Sequence, residues 1–389
     1  MPETRLESLE EGQIPQEQTL KKISCLFVFR RKRKERLENF HSGEGPDEML
    51  FGLNHLDPQK FQVDFVEGDD KVWSWKHRLC YPIELFIARQ LGLGFALHIA
   101  VDNLEKLQQA DIIVSSVDGC GLPIGALKLF GWLDTPVIYI SHGPFYLIER
   151  LSAKYLIRKF FQKFYGACLK AVERVLLLGE GMRTPMAEMF QMEPQSLVCN
   201  FFGIDTQFWF PKFGEGAENY ILSIGSDPAR DYETLMKAIG EEHLKIVTRL
   251  LEPTQKLARN IELASEFTDL ELRQLYQQAK FVVIPLHPVY QPSGQSATLQ
   301  AMACGKAVIL SNTPGLWDTA RMQHQQNCYL VEPGKVSELR QAIRYLSSQP
   351  SEVERIGRNA RDTVERFYSS ARFATELEAH IQEVLLNSY

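Results

Sequence analysis

The stretch from Phe281 to Ser311, FVVIPLHPVYQPSGQSATLQAMACGKAVILS, leaves the chain few folds to adopt. Two apolar runs of strand length, Phe281 to Pro285 and Ala307 to Leu310, flank a helix rich in small residues over about Ala297 to Cys304. A single short helix between two buried strands is a crossover, so the stretch is a βαβ unit of a parallel sheet. Gly305 falls where that helix needs a left-handed residue to stop, and Lys306 sets a cation near the negative end of its dipole. The loop Ser293-Gly294-Gln295-Ser296 therefore lies at the carboxyl edge of the sheet, ahead of a helix N-terminus holding roughly half a positive charge. Such a place binds phosphate.

A chain of 389 residues with 44% hydrophobic content exceeds what one core usually holds, and two domains are expected. The net charge of -6 argues against a dedicated nucleic-acid binder, which carries a basic excess over a whole domain. The seven cysteines are scattered, with no close CxxC pair and no histidine cluster at metal spacing. They read as small buried hydrophobes in a reducing cytosol. Met1 to Lys22 is rich in Glu and Gln and lacks an apolar core segment, so it reads as a disordered leader rather than a signal peptide. No stretch reaches the roughly 18 to 20 apolar residues that span a bilayer. The expectation is a soluble cytoplasmic protein, or one lying peripherally on the inner face of a membrane.

In chain order, a first strand is expected over Ile23 to Phe29, followed by the basic run Arg30-Arg31-Lys32-Arg33-Lys34. Two readings stay open for that run: a solvated loop, or an anion site at the carboxyl end of a strand, where open α/β sheets place ligands. Gly43 and Gly45 precede Pro46, which suits the first turn of a helix with Met49, Leu50 and Leu53 on its apolar stripe. The two glycines could hold a phosphate or a sugar hydroxyl. Strands at Gln62 to Val66, Ile112 to Ser115, Val137 to Ile140 and Val175 to Leu178 alternate with helices near Pro82 to Leu93 and Leu122 to Leu129. That alternation implies a parallel sheet covered by helices. His142 follows one of these strands in Ser141-His142-Gly143-Pro144, as part of a structural turn or as a site residue facing a cleft. Ala153 to Lys170 contains no acidic residue, and at helical spacing Leu156, Ile157, Phe160, Phe164 and Cys168 oppose Lys159, Lys163 and Lys170. Its apolar face either docks on the sheet or rests on an anionic membrane surface.

A polar, glycine-bearing segment, Lys212 to Glu218, reads as an interdomain linker. A second alternating series follows, with strands at Tyr220 to Ile224, Leu244 to Val247, Ile261 to Leu263, Phe281 to Ile284, Ala307 to Leu310 and Tyr329 to Val331. Helices are expected at Tyr232 to Ala238 and Asp269 to Gln278, with two more amphipathic ones towards the C-terminus. The organisation read from the chain is a leader (1–22), a first Rossmann-like domain (23–211), a second (219–365) and a terminal helix (366–389) packing back towards the first.

Four motifs in this half resemble those of the family-4 retaining glycosyltransferases, also called glycosyl transferases group 1, whose fold is the double-Rossmann GT-B type. FFGIDTQFWFP (Phe201 to Pro211) is similar to the family's crossover segment, and SIGSDPARDYETL (Ser223 to Leu235) to its phosphate-binding segment. PSGQSATLQAMACGKAVI and YLVEPG resemble its donor-binding loop, helix and following strand. VIYISHG (Val137 to Gly143) resembles the family strand whose histidine faces the transferred sugar. The resemblance implies an α/β fold of two doubly wound parallel-sheet domains facing a cleft, and a sugar moved from a nucleoside-diphosphate sugar to a carbohydrate or lipid acceptor. It needs no further cofactor and no metal.

Carried over by position, the resemblance gives Arg230 the family's diphosphate-binding cation and His142 its sugar-facing histidine. Donor contacts fall on Ser293, Gly294, Gln295, Ser296 and Gln300. Three positions depart from the pattern. Ser226 stands where a second cation is usual, so Arg249 or the Arg30 to Arg36 run would have to replace it. Pro292 and Gln300 stand where the family has paired glutamates. Gln300→Glu, restoring the residue that binds ribose, is therefore expected to keep or improve donor affinity. Two alternatives remain, a nucleotide-sugar epimerase of the same architecture and a binding protein with an inactive site.

Overall fold

The computed structural model describes residues 21–68, 74–151, 153–212, 219–252 and 257–387, and in it the alternating pattern resolves into two parallel sheets. The first holds β1 (Ile23–Val28), β2 (Phe61–Val66), β3 (Ile112–Ser115), β4 (Val137–Ser141), β5 (Arg174–Leu177) and β6 (Leu197–Cys199), in the order β2-β1-β3-β4-β5-β6. The second holds β7 (Ile221–Ile224), β8 (Leu244–Val247), β9 (Ile261–Ala264), β10 (Val282–Ile284), β11 (Val308–Ser311) and β12 (Tyr329–Val331), in the order β12-β11-β10-β7-β8-β9. Each sheet reverses direction once, between β1 and β3 and between β7 and β10. Ligands of such sheets bind at the carboxyl ends beside that reversal. The leader's first twenty residues, and Phe213 to Glu218 of the linker, lie outside the described residues.

Apolar strands buried on both faces form because helices cover both sides. β3, β4, β7, β10 and β11 are buried along their whole length. The crossover helix is Gln295–Ala303, starting two residues earlier than its composition indicates, and Gly305 takes φ 71° to end it.

Two expected helices differ. The helix read from Pro82 begins at Trp75, because the Ser74 side chain accepts from the His77 N–H at 2.9 Å and caps the start there. Pro82 then sits inside the helix. No helix follows Pro46: Glu48–Leu50 is a single 3₁₀ turn, stopped by Phe51 at φ 51°. Asp47, which would cap a longer helix, instead accepts from Asn54 Nδ2 at 3.0 Å and pairs with His55. The helix of this region forms on the basic run itself, Arg33–Ser42.

The helix Tyr155–Ala171 also turns differently from its expected stripe. Its buried face is Phe161, Tyr165, Gly166, Cys168 and Leu169, because Cys168 packs against Gly125 of the helix Asp118–Leu129. Leu156 and Phe160 are left 80% and 72% exposed. Among the described residues no helix is long and apolar enough to cross a membrane.

The chain passes from the first sheet to the second through Asn200 to Phe210 and returns through Phe367 to Ser370. The two passages lie side by side, with the Ile204 N–H donating to Tyr368 O at 2.7 Å and the Ser370 N–H to Ile204 O at 3.0 Å. The terminal helix Ser370–Asn387 then packs on the first sheet's side. There Phe373, Leu377 and Ile381 enter one buried cluster with Phe51, Phe61 and Phe202. Glu378 Oε1 accepts from the Asp57 N–H at 2.6 Å, and Arg174 pairs with Glu383 at 2.9 Å.

Candidate active site

A cleft of about 620 Å³ opens between the carboxyl ends of the two sheets, and both sheets contribute to its walls. Arg230 is its central charge. The residue is held by an antiparallel bridge to Leu286, after a turn in which the Arg230 N–H donates to Asp227 O at 2.9 Å. Its guanidinium fits only because two neighbours lack a side chain: a Cβ on Gly225 would meet Arg230 Nε at 2.3 Å, and one on Gly294 would meet Nη1 at 2.8 Å. Arg230 is 7% exposed, and its Nε and Nη1 have no hydrogen-bond partner among the described residues. Burial lowers its pKa, opposed by Tyr232, Asp227 and Tyr276. A buried cation with unmet donors is costly unless an anion completes it.

Beside it begins the helix Gln295–Ala303, with Gly294 in the left-handed region at its N-cap (φ 78°). Its first N–H groups have no partner within the helix and carry the positive end of its dipole into the same cleft. Ser293 and Ser296 line the wall there. Gln295 lines it too, but its Nε2 donates to Leu178 O of the first domain at 2.9 Å, which commits that amide to a contact between the two halves.

On the opposite wall, β4 delivers His142 into the cleft, where its side chain is exposed to the cavity yet surrounded by protein. That surrounding lowers the pKa of its ring, with Asp118 pulling upward and Arg33 further down. The His142 N–H donates to Asp118 Oδ2 at 3.1 Å. Asp118 also accepts from Tyr139 Oη at 2.7 Å, Ser141 Oγ at 2.9 Å and Tyr165 Oη at 2.6 Å. Four donors on one carboxylate fix the loop that presents the histidine. Asp118 was not apparent from sequence; its one signal is an acid at a helix start just after a buried strand.

Gln300 reaches the cleft with both ends of its amide engaged. Its Nε2 donates to Glu48 Oε1 of the first domain at 3.0 Å, and its Oε1 accepts from Tyr276 Oη at 3.2 Å. Glu48 Oε1 also accepts from Trp209 Nε1 at 3.0 Å. The position expected to hold ribose is thus tied into a buried polar link between the domains. Nothing local in the sequence pairs Glu48 with residues more than 150 positions away.

Burial raises the Glu48 carboxyl to about 7, with the Gln300 and Trp209 hydrogen bonds pulling the other way. Its unfolded value is about 4.3, so between these pH values the folded state holds a proton that the unfolded state has released. The resulting stability is fully present below about pH 4.3 and lost as pH rises through 7, roughly 4 kcal/mol at most. Glu48→Gln is expected to flatten this part of the pH–stability curve, measured by urea denaturation from pH 5 to 8. An unchanged slope would place the titration elsewhere.

Several expected contributors stay outside the cleft. Gly43 is the exposed C-cap of the helix Arg33–Ser42, at φ 74°. Gly45 packs against Asn39 and Asp269, where an added Cβ would lie 3.1 Å and 3.4 Å from their atoms. Neither lines the cavity, because the chain there serves the end of one helix and its seat against the second domain. The basic run is not an open anion site either. Glu67 accepts from the Arg33 and Lys34 N–H groups and closes that helix N-terminus with the protein's own carboxylate. Arg36 pairs with Asp269 across the domains, and the Arg30 guanidinium lies over Gly94. Arg249 is exposed and lends its N–H to Ser226 Oγ at 2.9 Å. Among the described residues Arg230 is the one Arg or Lys lining the cleft.

Residues 228–349 match the family described as Glycosyl transferases group 1. Among curated proteins, the chain is 23% identical over 275 residues to the MMP alpha-(1->4)-mannosyltransferase of Mycolicibacterium hassiacum, a stretch covering 64% of this chain and 66% of that one. It is 23% identical over 266 residues to the alpha-maltose-1-phosphate synthase of Mycobacterium tuberculosis, covering 59% and 67%. The matches therefore span about two thirds of each relative's length. Of solved structures, sucrose-phosphate synthase from Thermosynechococcus elongatus superposes with a TM-score of 0.67 at 14% identity, over 94% of this chain and 100% of that one. A glycosyltransferase from Rickettsia africae gives 0.63 at 15%, over 94% and 99%. Anabaena HepE, in complex with UDP and glucose, gives 0.63 at 14%, over 92% and 99%. At these identities the solved structures speak to the fold alone.

Proposed function

We propose that the chain, whose residues 228–349 match the group 1 glycosyltransferases and whose fold is that of solved glycosyltransferases of the GT-B type, moves a sugar from a nucleoside-diphosphate donor to an acceptor hydroxyl with retention of anomeric configuration. The observation that carries this reading is Arg230, a buried cation with unmet donors beside a helix N-terminus at the floor of the cleft. A diphosphate completes both features at once. As the bond from the sugar C1 to the diphosphate oxygen breaks, charge builds on that oxygen, and Arg230 with the helix N-terminus stabilises it. The acceptor oxygen forms its bond to the same face of C1, and its proton passes to the departing diphosphate. His142, kept neutral at pH 7 by its surroundings, offers the sugar a hydrogen bond from the opposite wall. The test is a thermal-shift screen of nucleoside diphosphates and their sugars. A ligand at 100 times its dissociation constant should add roughly 2.7 kcal/mol. NMR of the product made with the donor so identified should show the donor's anomeric configuration kept; an inverted product would contradict the mechanism.

Ser226 in place of a second cation, and the engaged amide of Gln300, favour a second reading, a sugar-nucleotide-binding protein without turnover. Stabilisation by a nucleotide sugar without hydrolysis or transfer would establish it. Release of an epimerised nucleotide sugar would point instead to an epimerase.

The acceptor belongs on the first domain's wall, and we infer that it is lipid-borne. Leu156 and Phe160 project into solvent from the same helix that exposes Lys159, Lys163 and Lys170. An apolar pair among lysines suits an anionic leaflet, each lysine near the surface contributing about 1 kcal/mol. The protein should sediment with vesicles containing anionic lipid at low salt, and a variant with Glu at 159, 163 and 170 should stay in the supernatant. Failure of the native protein to sediment would point to a soluble sugar acceptor.

A further inference from the structure

Away from the cleft, three side chains that the proposed reaction does not use converge on one point. His77 and Glu84 are seven residues apart on the helix Trp75–Leu91, two turns along one face. His98 lies in the first turn of the helix Leu97–Asp102. Ser74 Oγ donates to Asp102 Oδ1 at 2.8 Å and Lys76 Nζ to Val101 O at 3.3 Å, so the two helices are already tied together at one side of the cluster. His98 Nδ1 lies 2.9 Å from Glu84 Oε1, and His77 Nε2 lies 3.8 Å from Glu84 Oε2. One ligand atom from each of the three falls within 4.8 Å of the others. The two imidazoles stack at 3.9 Å, each with a nitrogen at the carboxylate. The His98 N–H donates to Glu84 Oε1 at 2.7 Å and orients that carboxylate from behind. The cluster faces a cavity of about 300 Å³, which also takes in Arg30, Tyr81 and Gly94.

We propose that His77, Glu84 and His98 bind one divalent transition-metal ion of the zinc class. Two imidazoles and a carboxylate select a borderline ion over magnesium or calcium, which prefer oxygen ligands alone. Three protein ligands beside a cavity leave the fourth position of a tetrahedral ion to water. With metal–ligand bonds of about 2.0–2.2 Å, donor atoms sit roughly 3.3 Å apart, so binding requires the stacked rings to splay and the carboxylate to swing between them. His98 then carries its proton on Nε2 and presents a bare Nδ1, a tautomer change that leaves the ring neutral. Arg30 and Arg31 on the cavity wall oppose the ion's charge, and Glu84 supplies the one negative charge of the ligand set. The bound ion cross-links the two helices beside Leu93 and Gly94, where the cavity and the cleft adjoin.

The test is calorimetric titration of the full-length, chelator-treated protein with Zn²⁺ at pH 7.5, together with the visible absorption of the Co²⁺ form. One ion per chain is expected. His98→Ala and Glu84→Gln should each weaken binding by roughly 100-fold or more, beyond the 10- to 100-fold typical of losing an outer-shell partner. Glu84→Gln keeps an oxygen for the His98 N–H, so its circular dichroism should match the native protein. Absence of saturable binding by the native protein, or native-like binding by both variants, would overturn the proposal.

Discussion

Arg230→Ala is expected to lower transfer by about 100- to 1000-fold while leaving the melting temperature unchanged or higher. The loss follows from removing the charge that meets the leaving diphosphate, since deleting one transition-state donor typically costs about 2.7–4 kcal/mol. The unchanged or raised stability follows from the same geometry. In the free protein the guanidinium is buried, and its Nε and Nη1 have no partner among the described residues. Such groups destabilise the fold that holds them, and a functional site tolerates the cost because the ligand removes it. Truncation leaves a space that opens on the cleft and fills with water, so little cavity cost is added. The measurements are kcat/KM for the donor found in the thermal-shift screen, and melting curves without ligand. Native kinetics would remove Arg230 from the site; a collapse in melting temperature would make it a structural residue.

Gln300→Glu is the second large effect, and here the structure reverses the expectation drawn from the family resemblance. The new carboxylate would lie where the Gln300 amide now donates to Glu48 Oε1 at 3.0 Å, in a place that already raises Glu48 to about 7. Two carboxylates at that separation share one proton, and the pair resists losing it. Above neutral pH the variant should lose about 3 kcal/mol, the scale of an uncompensated buried charge, and recover much of it near pH 5. Donor binding should weaken with it. The double variant with Glu48→Gln should restore stability at pH 8, because position 48 then offers an amide to the new carboxylate. Equal melting curves for Gln300→Glu and the native protein at pH 8, with tighter donor binding, would instead return residue 300 to the ribose.

Strands and crossovers were legible because their signals are local. An apolar run between turn residues defines β10 and β11, and Gly305 ends the helix between them whatever surrounds it. Arg230 was singled out by the motif around it, Ser223 to Leu235, while Leu286 and Gly294, which complete its setting in space, lie more than fifty residues on. What escaped was pairing over distance. The basic run looked available for an anion because nothing near it in sequence says that Glu67 closes the helix start. Gln300 looked like a weakened ribose contact because Glu48, its partner, is 252 residues away. The face of the helix Tyr155–Ala171 was misjudged for a similar reason. Gly125 on a neighbouring helix admits Cys168 closely and turns that face inward, and periodicity alone does not record what a helix packs against.

The two passages between the sheets, joined through Ile204 and its bonds to Tyr368 and Ser370, act as the spine of a book. A single strand of chain would let the halves swivel freely, whereas two strands bonded side by side permit opening and closing of the pages and resist twisting. The two walls of the cleft are therefore held in one register by this double connection. The amides of Ile204 and Ser370 should consequently exchange with deuterium at a common rate, as one unit, since neither bond of the spine can open while the other holds.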